Sequence, residues 1–299
     1  MKVFRCDGFA YPLPEGHRFP AAKYALLCER VAAELTSPCE LLVPDAASDG
    51  QLLRAHTNEY LAKVVSGTLT DREVRRIGLP WSPELVERSR RSVGGTIAVC
   101  RVALADGVAV SLSGGTHHAF PDHGAGYCIF NDIAVAIRAM QAEGRARRIV
   151  VVDCDVHQGD GTAAIFSGDS SVFTFSIHGA KNFPLHKEHS DLDVELPDGT
   201  PDADYLDALE IGLERSLALA CADLAIYLAG ADPYVEDTLG RLALSMDGLA
   251  ARDRLVFDQC RGAGLPVAVV MGGGYAKKIL DTVGIQLQTV RVATEHCSC

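Results

Sequence analysis

The sequence predicts an α/β protein in three layers, with helices covering both faces of a mainly parallel central sheet. Two observations predict this class. Six short apolar runs recur along the 299 residues, and each is continuous rather than alternating, which is typical of strands buried on both faces. Helix-length segments with apolar residues at three- and four-residue spacing separate the runs. No repeat or linker divides the chain, so a single domain over residues 1–299 is predicted.

Strands and helices alternate along the chain, as parallel strands with helical crossovers require. The predicted strands are LLV at 41–43, VAVSL at 108–112, IVVV at 149–152, VFTFSI at 172–177, LAIYLA at 224–229 and VAVVM at 267–271. The predicted helices cover 21–35, 83–105, 131–143, 202–222, 245–261 and 277–295. In such sheets ligands bind where the chain leaves the carboxyl ends of strands, so the residues after each run are the candidates for a functional site.

The composition excludes several classes of protein. Hydrophobic residues make up 48% of the chain and charged residues 22%, which is too apolar for a disordered protein. The 28 basic and 39 acidic residues give a formal charge of −11. This balance argues against a nucleic-acid-binding protein and is compatible with cationic ligands. No stretch approaches the ~20 uninterrupted apolar residues of a membrane span, so no membrane partner is expected.

The ten cysteines are scattered through the chain and do not suggest a disulfide framework. Most lie within apolar runs, among them Cys28, Cys100, Cys221 and Cys260, where a small buried apolar side chain is expected. The first residues contain no apolar segment of the secretory kind. These features predict a reduced, cytoplasmic protein, and the oligomeric state has no signature in the sequence.

The strongest polar cluster follows the IVVV run. Asp153, Asp155 and His157 are two residues apart, and such residues share a face of an extended chain, with Cys154 turned toward the core. Two carboxylates side by side away from water are costly unless a cation or dense hydrogen bonding compensates. The pattern therefore favours a metal site over a turn-capping Asp153 and a packed His157. Carboxylate and imidazole ligands suit zinc or a similar divalent ion.

A catalytic zinc usually takes three protein ligands and leaves one position open. Asp155 and His157 supply two of them. Asp232 is the natural third ligand, because it follows the LAIYLA run at another strand end. Taken alone, an aspartate at this place more often caps a helix or a turn.

His117 and His118 follow a Gly-Gly turn after the VAVSL run, and both can reach a site from an irregular loop. Each needs a partner that fixes its tautomer, and Asp153 and Asp160 are the carboxylates available. An isolated pair of this kind is more often one surface histidine and one core histidine.

Three glycines precede Tyr275 at the end of the VAVVM run, without the spacing of a phosphate-binding loop. Glycines permit close backbone approach, so they make room beside Tyr275. Its phenol is suited to donating a hydrogen bond to a developing oxyanion, and a core tyrosine is an equally frequent alternative.

Together these segments resemble the histone deacetylase superfamily, which has the arginase-like α/β fold, over about residues 11–287. The GGTHHA, DVHQG and SVGGT segments are most similar to the compact class IV branch and its bacterial relatives. The resemblance implies a zinc-dependent amidohydrolase that removes an acyl group from lysine in proteins or peptides, or from a small acylated amine. The matching segments are PLPEGHRFP (12–20), LLRAHTNEYL (52–61), SVGGT (92–96), GGTHHA (114–119), GYCIFND (126–132), DCDVHQGDGT (153–162), FSIH (175–178), NFP (182–184), GAD (230–232) and GGGY (272–275).

The resemblance implies two metal sites. One zinc ion per chain would be held by Asp155, His157 and Asp232. A structural potassium ion would lie beside the zinc strand, on Asp153 and the hydroxyl of Ser176.

The resemblance also implies the catalytic roles. His117 would pair with Asp153 and His118 with Asp160, and Tyr275 would polarise the amide carbonyl. We expect His118 to take the proton of the attacking water and His117 to stay mostly cationic, although neighbouring histidines titrate as a pair.

An acyl-lysine tunnel is implied as well. Its aromatic walls would be Tyr127 and Phe183, with Gly126, Gly273 and Gly274 lining it. The acyl-chain length and the identity of the amine have no signature in the sequence.

Three other functions compete with this one. A dinuclear manganese ureohydrolase has a carboxylate two residues after the histidine, whereas Asp160 lies three after His157, and Asp232 is followed by Pro-Tyr-Val, so ligands for a second metal are missing. An acetylpolyamine deacetylase often carries an insertion that narrows the entrance, for which this chain has no obvious room. A non-catalytic, deacetylase-like binding protein is disfavoured because the expected ligands and Tyr275 are all present.

Overall fold

The computed structural model describes residues 1–35 and 39–297, and in this part of the chain eight strands form one sheet. The order across the sheet is β2-β1-β3-β8-β7-β4-β5-β6, and every neighbouring pair is parallel. The strands are β1 (Lys2–Phe4), β2 (Glu40–Leu42), β3 (Val108–Ser111), β4 (Ile149–Asp153), β5 (Val172–Gly179), β6 (Leu192–Leu196), β7 (Leu224–Ala229) and β8 (Val267–Met271).

Helices cover both faces of this sheet. They are α1 (Lys23–Glu34), α2 (Asp49–Leu52), α3 (Asn58–Ser66), α4 (Asp71–Ile77), α5 (Pro83–Asp106), α6 (Asp132–Ala142), α7 (Asp160–Phe166), α8 (Asp202–Ala220), α9 (Met246–Gly262) and α10 (Ile279–Glu295). None of the described helices is long and apolar enough to cross a membrane.

Alternate side chains of each central strand enter different hydrophobic cores. In β4, Val150 and Val152 join the core that includes residues of α1, α8, α9 and α10, whereas Ile149 and Val151 join the core that includes residues of α5 and α6. A strand buried on both faces has no polar side, which is why the sequence showed continuous apolar runs. The predicted three-layer α/β fold with a parallel sheet is confirmed.

All six predicted strands and all six predicted helices are present, with ends that differ by a few residues. The ends follow local chemistry. The Ser82 hydroxyl accepts a hydrogen bond from the Leu85 amide (3.1 Å) at the start of α5, with Pro83 in the first turn. The short strands β1 and β6 and the short helices were not predicted. The edge strand β6 is only partly buried, so it lacks a continuous apolar run.

The prediction for Cys221 was wrong. This side chain is exposed, because residue 221 ends α8 in a left-handed conformation (φ 45°) rather than continuing the buried face. Cys28, Cys100 and Cys260 are buried as predicted, and Cys154 lies in the core.

A fully buried ion pair lies in α9 behind the carboxyl ends of β4 and β7. The Arg252 guanidinium donates to Asp253 Oδ1 through Nε (3.0 Å) and Nη2 (2.8 Å), and through Nη1 to the carbonyls of Cys154 and Gly230. The Asp253 carboxylate also accepts from the Tyr227 hydroxyl (2.5 Å). The pair therefore ties α9 to the two strand ends.

We predict that Asp253→Asn lowers the free energy of unfolding by about 3 kcal/mol, because it leaves a buried guanidinium without its counter-charge. Asp258→Asn in the same helix is the control: its partner Arg261 is 2.7 Å away, but both side chains are more than half exposed. The control substitution should lower the free energy of unfolding by less than about 1 kcal/mol. Urea unfolding measures both, and equal losses would contradict the prediction.

Candidate active site

The polar segments found in the sequence lie together at one edge of the sheet. They follow β3, β8, β7 and β4, which are consecutive strands in the sheet order. Since these strands are parallel, their carboxyl ends share that edge. The fold therefore brings His117 and His118, Tyr275, Asp232, and the Asp153–Asp160 segment into one region.

The three predicted metal ligands converge. His157 Nδ1 lies 2.9 Å from Asp155 Oδ1 and 3.2 Å from Asp232 Oδ2. All three side chains are buried, and one ligand atom from each lies within 4.8 Å of the others. The strands β4 and β7 are neighbours, and residue 153 is in register with residue 228. Asp155 and Asp232 follow these two strand ends, so the fold brings their carboxylates together.

The donor set and its unsatisfied oxygen fit a divalent cation. Asp232 Oδ1 accepts from the Val156 amide (3.0 Å), whereas the buried Oδ2 makes no hydrogen bond of good geometry, because His157 Nδ1, 3.2 Å away, is engaged with Asp155 Oδ1. A buried carboxylate oxygen without a donor is costly unless a cation faces it. Two carboxylate oxygens and one imidazole nitrogen are ligands that zinc accepts.

The local charges perturb the ligands strongly. Burial opposes a charged His157, but the hydrogen bond that its ring donates to Asp155 and the nearby Asp232 carboxylate raise the pKa of His157 to about 10. Burial, together with the charge of Asp155, raises the pKa of Asp232 to about 7. The shift of His157, and the part of the Asp232 shift that Asp155 causes, reflect concentrated negative potential, which also favours a bound cation.

Residue 273 must be a glycine for this geometry. The Gly273 amide donates to Asp155 Oδ2 (2.6 Å), and a Cβ atom at this position would overlap the Asp232 carboxylate. Gly273 also lines a small inner cavity of about 50 Å³. Gly274 is buried against Thr282 and Ala231 and does not line the cavities described here.

The two adjacent histidines have separate carboxylate partners. His117 Nδ1 lies 2.6 Å from Asp153 Oδ2, and His118 Nδ1 lies 2.6 Å from Asp160 Oδ1. The ring centres are 4.1 Å apart. His118 Nε2 is the nitrogen that remains for other partners, and the His118 ring lines a cavity of about 590 Å³, the main cavity of the site.

The environments of the two rings drive their pKa values apart. Burial opposes a charge on His117, but Asp153 and Asp155 outweigh it and raise the pKa of His117 to about 9. Burial and the positive charge of His117 lower the pKa of His118 to about 4. At neutral pH this arrangement favours a cationic His117 beside a neutral His118.

Asp132 positions the turn that carries the histidine pair, and the sequence interpretation gave it no role. It is fully buried at the start of α6, and its carboxylate accepts from the amides of Gly115 (3.1 Å) and Thr116 (2.7 Å). A buried aspartate that opens a helix looks in sequence like an ordinary helix cap, so only the contacts across the turn reveal it.

Asp237 and Lys23 position Tyr275 and were also missed. The Tyr275 amide donates to Asp237 Oδ2 (2.6 Å). Lys23 in α1 is 1% exposed, its ammonium donates to the carbonyl of Gly274 (3.4 Å), and it lies 5.3 Å from the centre of the Tyr275 ring. Burial lowers the pKa of Lys23 to about 8. A lone lysine in a helix has no sequence signal for burial.

The main cavity leads to this region, and His118, His157 and Tyr275 line it. Phe183 packs edge-on against His118, with ring centres 4.9 Å apart. The ring centres of Tyr127 and Tyr275 are 5.9 Å apart. Gly126 lies between them with φ 51°, and a Cβ atom there would come within 2.6 Å of the His118 ring. The predicted tunnel residues Gly126, Tyr127 and Phe183 therefore lie around one channel.

The two predicted potassium ligands are neighbours across the sheet. Asp153 in β4 is in register with Ser176 in β5. Asp153 also bonds His117, and the Ser176 hydroxyl lies 2.9 Å from His178 Nδ1. Their role in holding potassium stays a prediction.

Known proteins are similar to this chain over most of its length. The histone deacetylase domain profile matches residues 17–289. An uncharacterized protein of Picosynechococcus sp. is 48% identical over 276 residues, which cover 92% of each chain. A histone deacetylase-like amidohydrolase of Pseudomonas aeruginosa is 32% identical over 293 residues, which cover 92% of this chain and 76% of that protein. The crystal structure of a histone deacetylase homologue from Aquifex aeolicus has the same fold (TM-score 0.84, 24% identity), over 98% of this chain and 83% of that one.

The chain therefore belongs to the histone deacetylase family, and by family it is a deacetylase-like amidohydrolase. The resemblance read from the motifs is confirmed at this level, as is the arginase-like fold.

His56 anchors the loop between the histidine pair and α6. Its Nδ1–H donates to the carbonyl of Phe120 (3.0 Å), and its Nε2 accepts from the Asn131 amide (2.9 Å). Only the neutral ring makes both bonds. Burial lowers the pKa of His56 to about 4.

We predict that His56 makes the folded protein less stable in acid. The unfolded chain takes up the proton near pH 6.5 and the folded chain only near pH 4, so stability falls as the pH drops through that window. Urea unfolding of metal-free protein should show a fall about 3 kcal/mol larger in the wild type than in His56→Gln. His186→Gln, at an exposed histidine, is the control. A fall of the same size in His56→Gln would contradict the prediction.

Proposed function

We propose that the chain is one catalytic domain that hydrolyses the amide bond of acyl-lysine in proteins or peptides. The observation that carries this proposal is the convergence of Asp155 and Asp232 on His157, which lines the same cavity as His118 and Tyr275. A metal-ligand set, a neutral base and a phenol around one channel are the groups that amide hydrolysis requires.

Zinc is the ion we propose for Asp155, His157 and Asp232, because their donor atoms suit it and Asp232 Oδ2 has no other partner. When bound, zinc supplies a Lewis acid that polarises a carbonyl group and activates water.

His118 is the proposed general base. Its low pKa keeps the ring neutral, and the contact of Nδ1 with Asp160 leaves Nε2 to take the proton of the attacking water. The same proton then passes from Nε2 to the departing lysine nitrogen as the carbon–nitrogen bond breaks. His117, held cationic by Asp153 and Asp155, supplies positive charge beside the reaction.

Tyr275 is the proposed oxyanion donor. Burial and the charges of Asp232 and Asp155 raise the pKa of its phenol, so the hydroxyl keeps its proton and donates. Lys23 and Asp237 hold the two polar ends of the peptide group between Gly274 and Tyr275, which fixes the backbone that carries the phenol.

A potassium ion on Asp153 and Ser176 is part of the proposal, supported by their register across β4 and β5. We also propose the cytoplasm as the compartment. All nine cysteines within the described residues are free thiols, which fits a reducing environment.

Hydrolysis of acyl-lysine peptides by zinc-loaded protein tests the activity. We expect Tyr275→Phe to lower kcat by roughly 100-fold or more, because one oxyanion donor is lost. Tyr234→Phe is the matched control, since that tyrosine does not line the cavity. A panel of acetyl-, butyryl- and myristoyl-lysine peptides defines the acyl group. Equal, negligible turnover of every peptide by wild type and Tyr275→Phe, with zinc bound, would instead favour a binding protein.

Zinc binding is tested separately by competition with a chelator. We expect Asp232→Asn to weaken zinc binding by more than roughly 100-fold, because it removes one of three ligands. The exposed Asp258→Asn variant is the control. Unchanged zinc affinity in Asp232→Asn would remove Asp232 from the proposed ligand set.

A further inference from the structure

The mouth of the main cavity is basic, although the chain as a whole is acidic. Four cationic side chains line it, Arg75, Arg76, Lys181 and Arg241, and no aspartate or glutamate is among its described lining residues. The formal charge of the chain is −11, so the charge of this cluster is opposite in sign to the net charge of the protein. A ring of like charges around a cleft concentrates the field at its opening.

Nearby carboxylates neutralise only part of the charge of these four side chains. Asp198 lies 3.8 Å from Lys181 Nζ and 3.3 Å from Arg241 Nη1, so two cations share one carboxylate. Arg75 and Arg76 are exposed in the last turn of α4 and form no ion pair with another described residue. The nearby Glu73 of the same helix is engaged by the Thr70 amide and by Lys63.

The arginines of α4 are held at a fixed place relative to the catalytic region. The amide of Gly126 donates to the carbonyl of Arg76 (3.2 Å), and the amide of Tyr127 donates to the carbonyl of Ile77 (2.7 Å). These bonds join the end of α4 to the tunnel wall beside His118. The charges are therefore a feature of the entrance rather than of a remote surface.

The cavity lining also includes an exposed apolar pair. Leu185 is 87% exposed and Phe183 is 44% exposed, in a loop that the Lys187 ammonium fixes by donating to the carbonyls of Asn182 (2.6 Å) and Pro184 (2.7 Å). A fixed, exposed leucine beside a channel offers a contact to a chain that lies across the opening.

We propose that the mouth selects acyl-lysine in an acidic segment, with aspartate or glutamate near the modified lysine. This inference rests on the proposed function and names its substrate class. Carboxylates beside the lysine meet Arg75 and Arg76, which have no counter-charge of their own, while the tunnel takes the acyl-lysine side chain. A polyamine or a lysine-rich segment has the same sign of charge as the mouth and is disfavoured.

The test uses three acetyl-lysine peptides that differ only in their flanks: aspartate and glutamate, asparagine and glutamine, or lysine. At low ionic strength we expect kcat/KM for the acidic peptide to exceed that for the neutral one by roughly tenfold, mainly through KM. The preference should shrink as salt is added. Acetylated spermidine serves as the small cationic substrate and should be the poorest.

Two double variants locate the effect. In Arg75→Gln/Arg76→Gln the acidic-to-neutral ratio should fall to about twofold or less, while kcat for the neutral peptide is retained. Arg215→Gln/Arg254→Gln removes two exposed arginines from α8 and α9 and should keep the wild-type ratio. Loss of the preference in both variants would point to net charge and overturn the assignment to the mouth.

The outcomes separate this inference from the function on which it rests. Hydrolysis of the neutral peptide without preference for the acidic one, or with preference for the lysine-flanked one, overturns the inference and leaves the deacylase function standing. No hydrolysis of any acylated amine by zinc-loaded protein overturns both.

Discussion

The burial of two neighbouring carboxylates is the constraint on which the rest of the site depends. Asp155 and Asp232 are at most 2% exposed, and removing such charges from water is costly unless donors or cations compensate. The amides of Val156 and Gly273 and the ring of His157 supply part of the compensation. Asp232 Oδ2 still makes no hydrogen bond of good geometry, although His157 Nδ1 lies 3.2 Å away. The remaining negative potential is what a divalent ion would neutralise.

The same buried charges give two adjacent histidines different properties. His117 lies close to Asp153 and Asp155, which favour its cation, whereas His118 has only Asp160 and faces the positive His117 ring. The pKa of each ring is therefore set by the carboxylates beside it and by the charge of the other ring. The glycine at 273 leaves room for the Asp232 carboxylate, and the Asp132 carboxylate accepts from the Thr116 amide in the turn that carries the two histidines.

The net charge of the chain does not predict the charge of the cavity mouth. The charge of −11 is compatible with cationic ligands, yet four cations and no carboxylate line the described part of the cavity mouth. Screening in water limits exposed charges to an influence over about one Debye length, roughly 8 Å at physiological salt. The side chains nearest the opening therefore outweigh the rest of the surface, and α4, which places two of them, was too short to be predicted from apolar spacing.

The sequence alone determined the fold class, the central strands and the segments after them, because burial on both faces leaves unbroken apolar runs and their polar ends stand out. It also indicated the family, since Asp153, Asp155, His157 and Tyr275 lie in contiguous motifs. Only the tertiary structure decided which distant groups complete the site. Lys23, Asp132, Asp237 and Arg252 act through contacts with residues far along the chain, and local sequence has no period or motif that records such contacts. Their burial depends on how helices and loops pack at the sheet edge, which is a property of the folded chain.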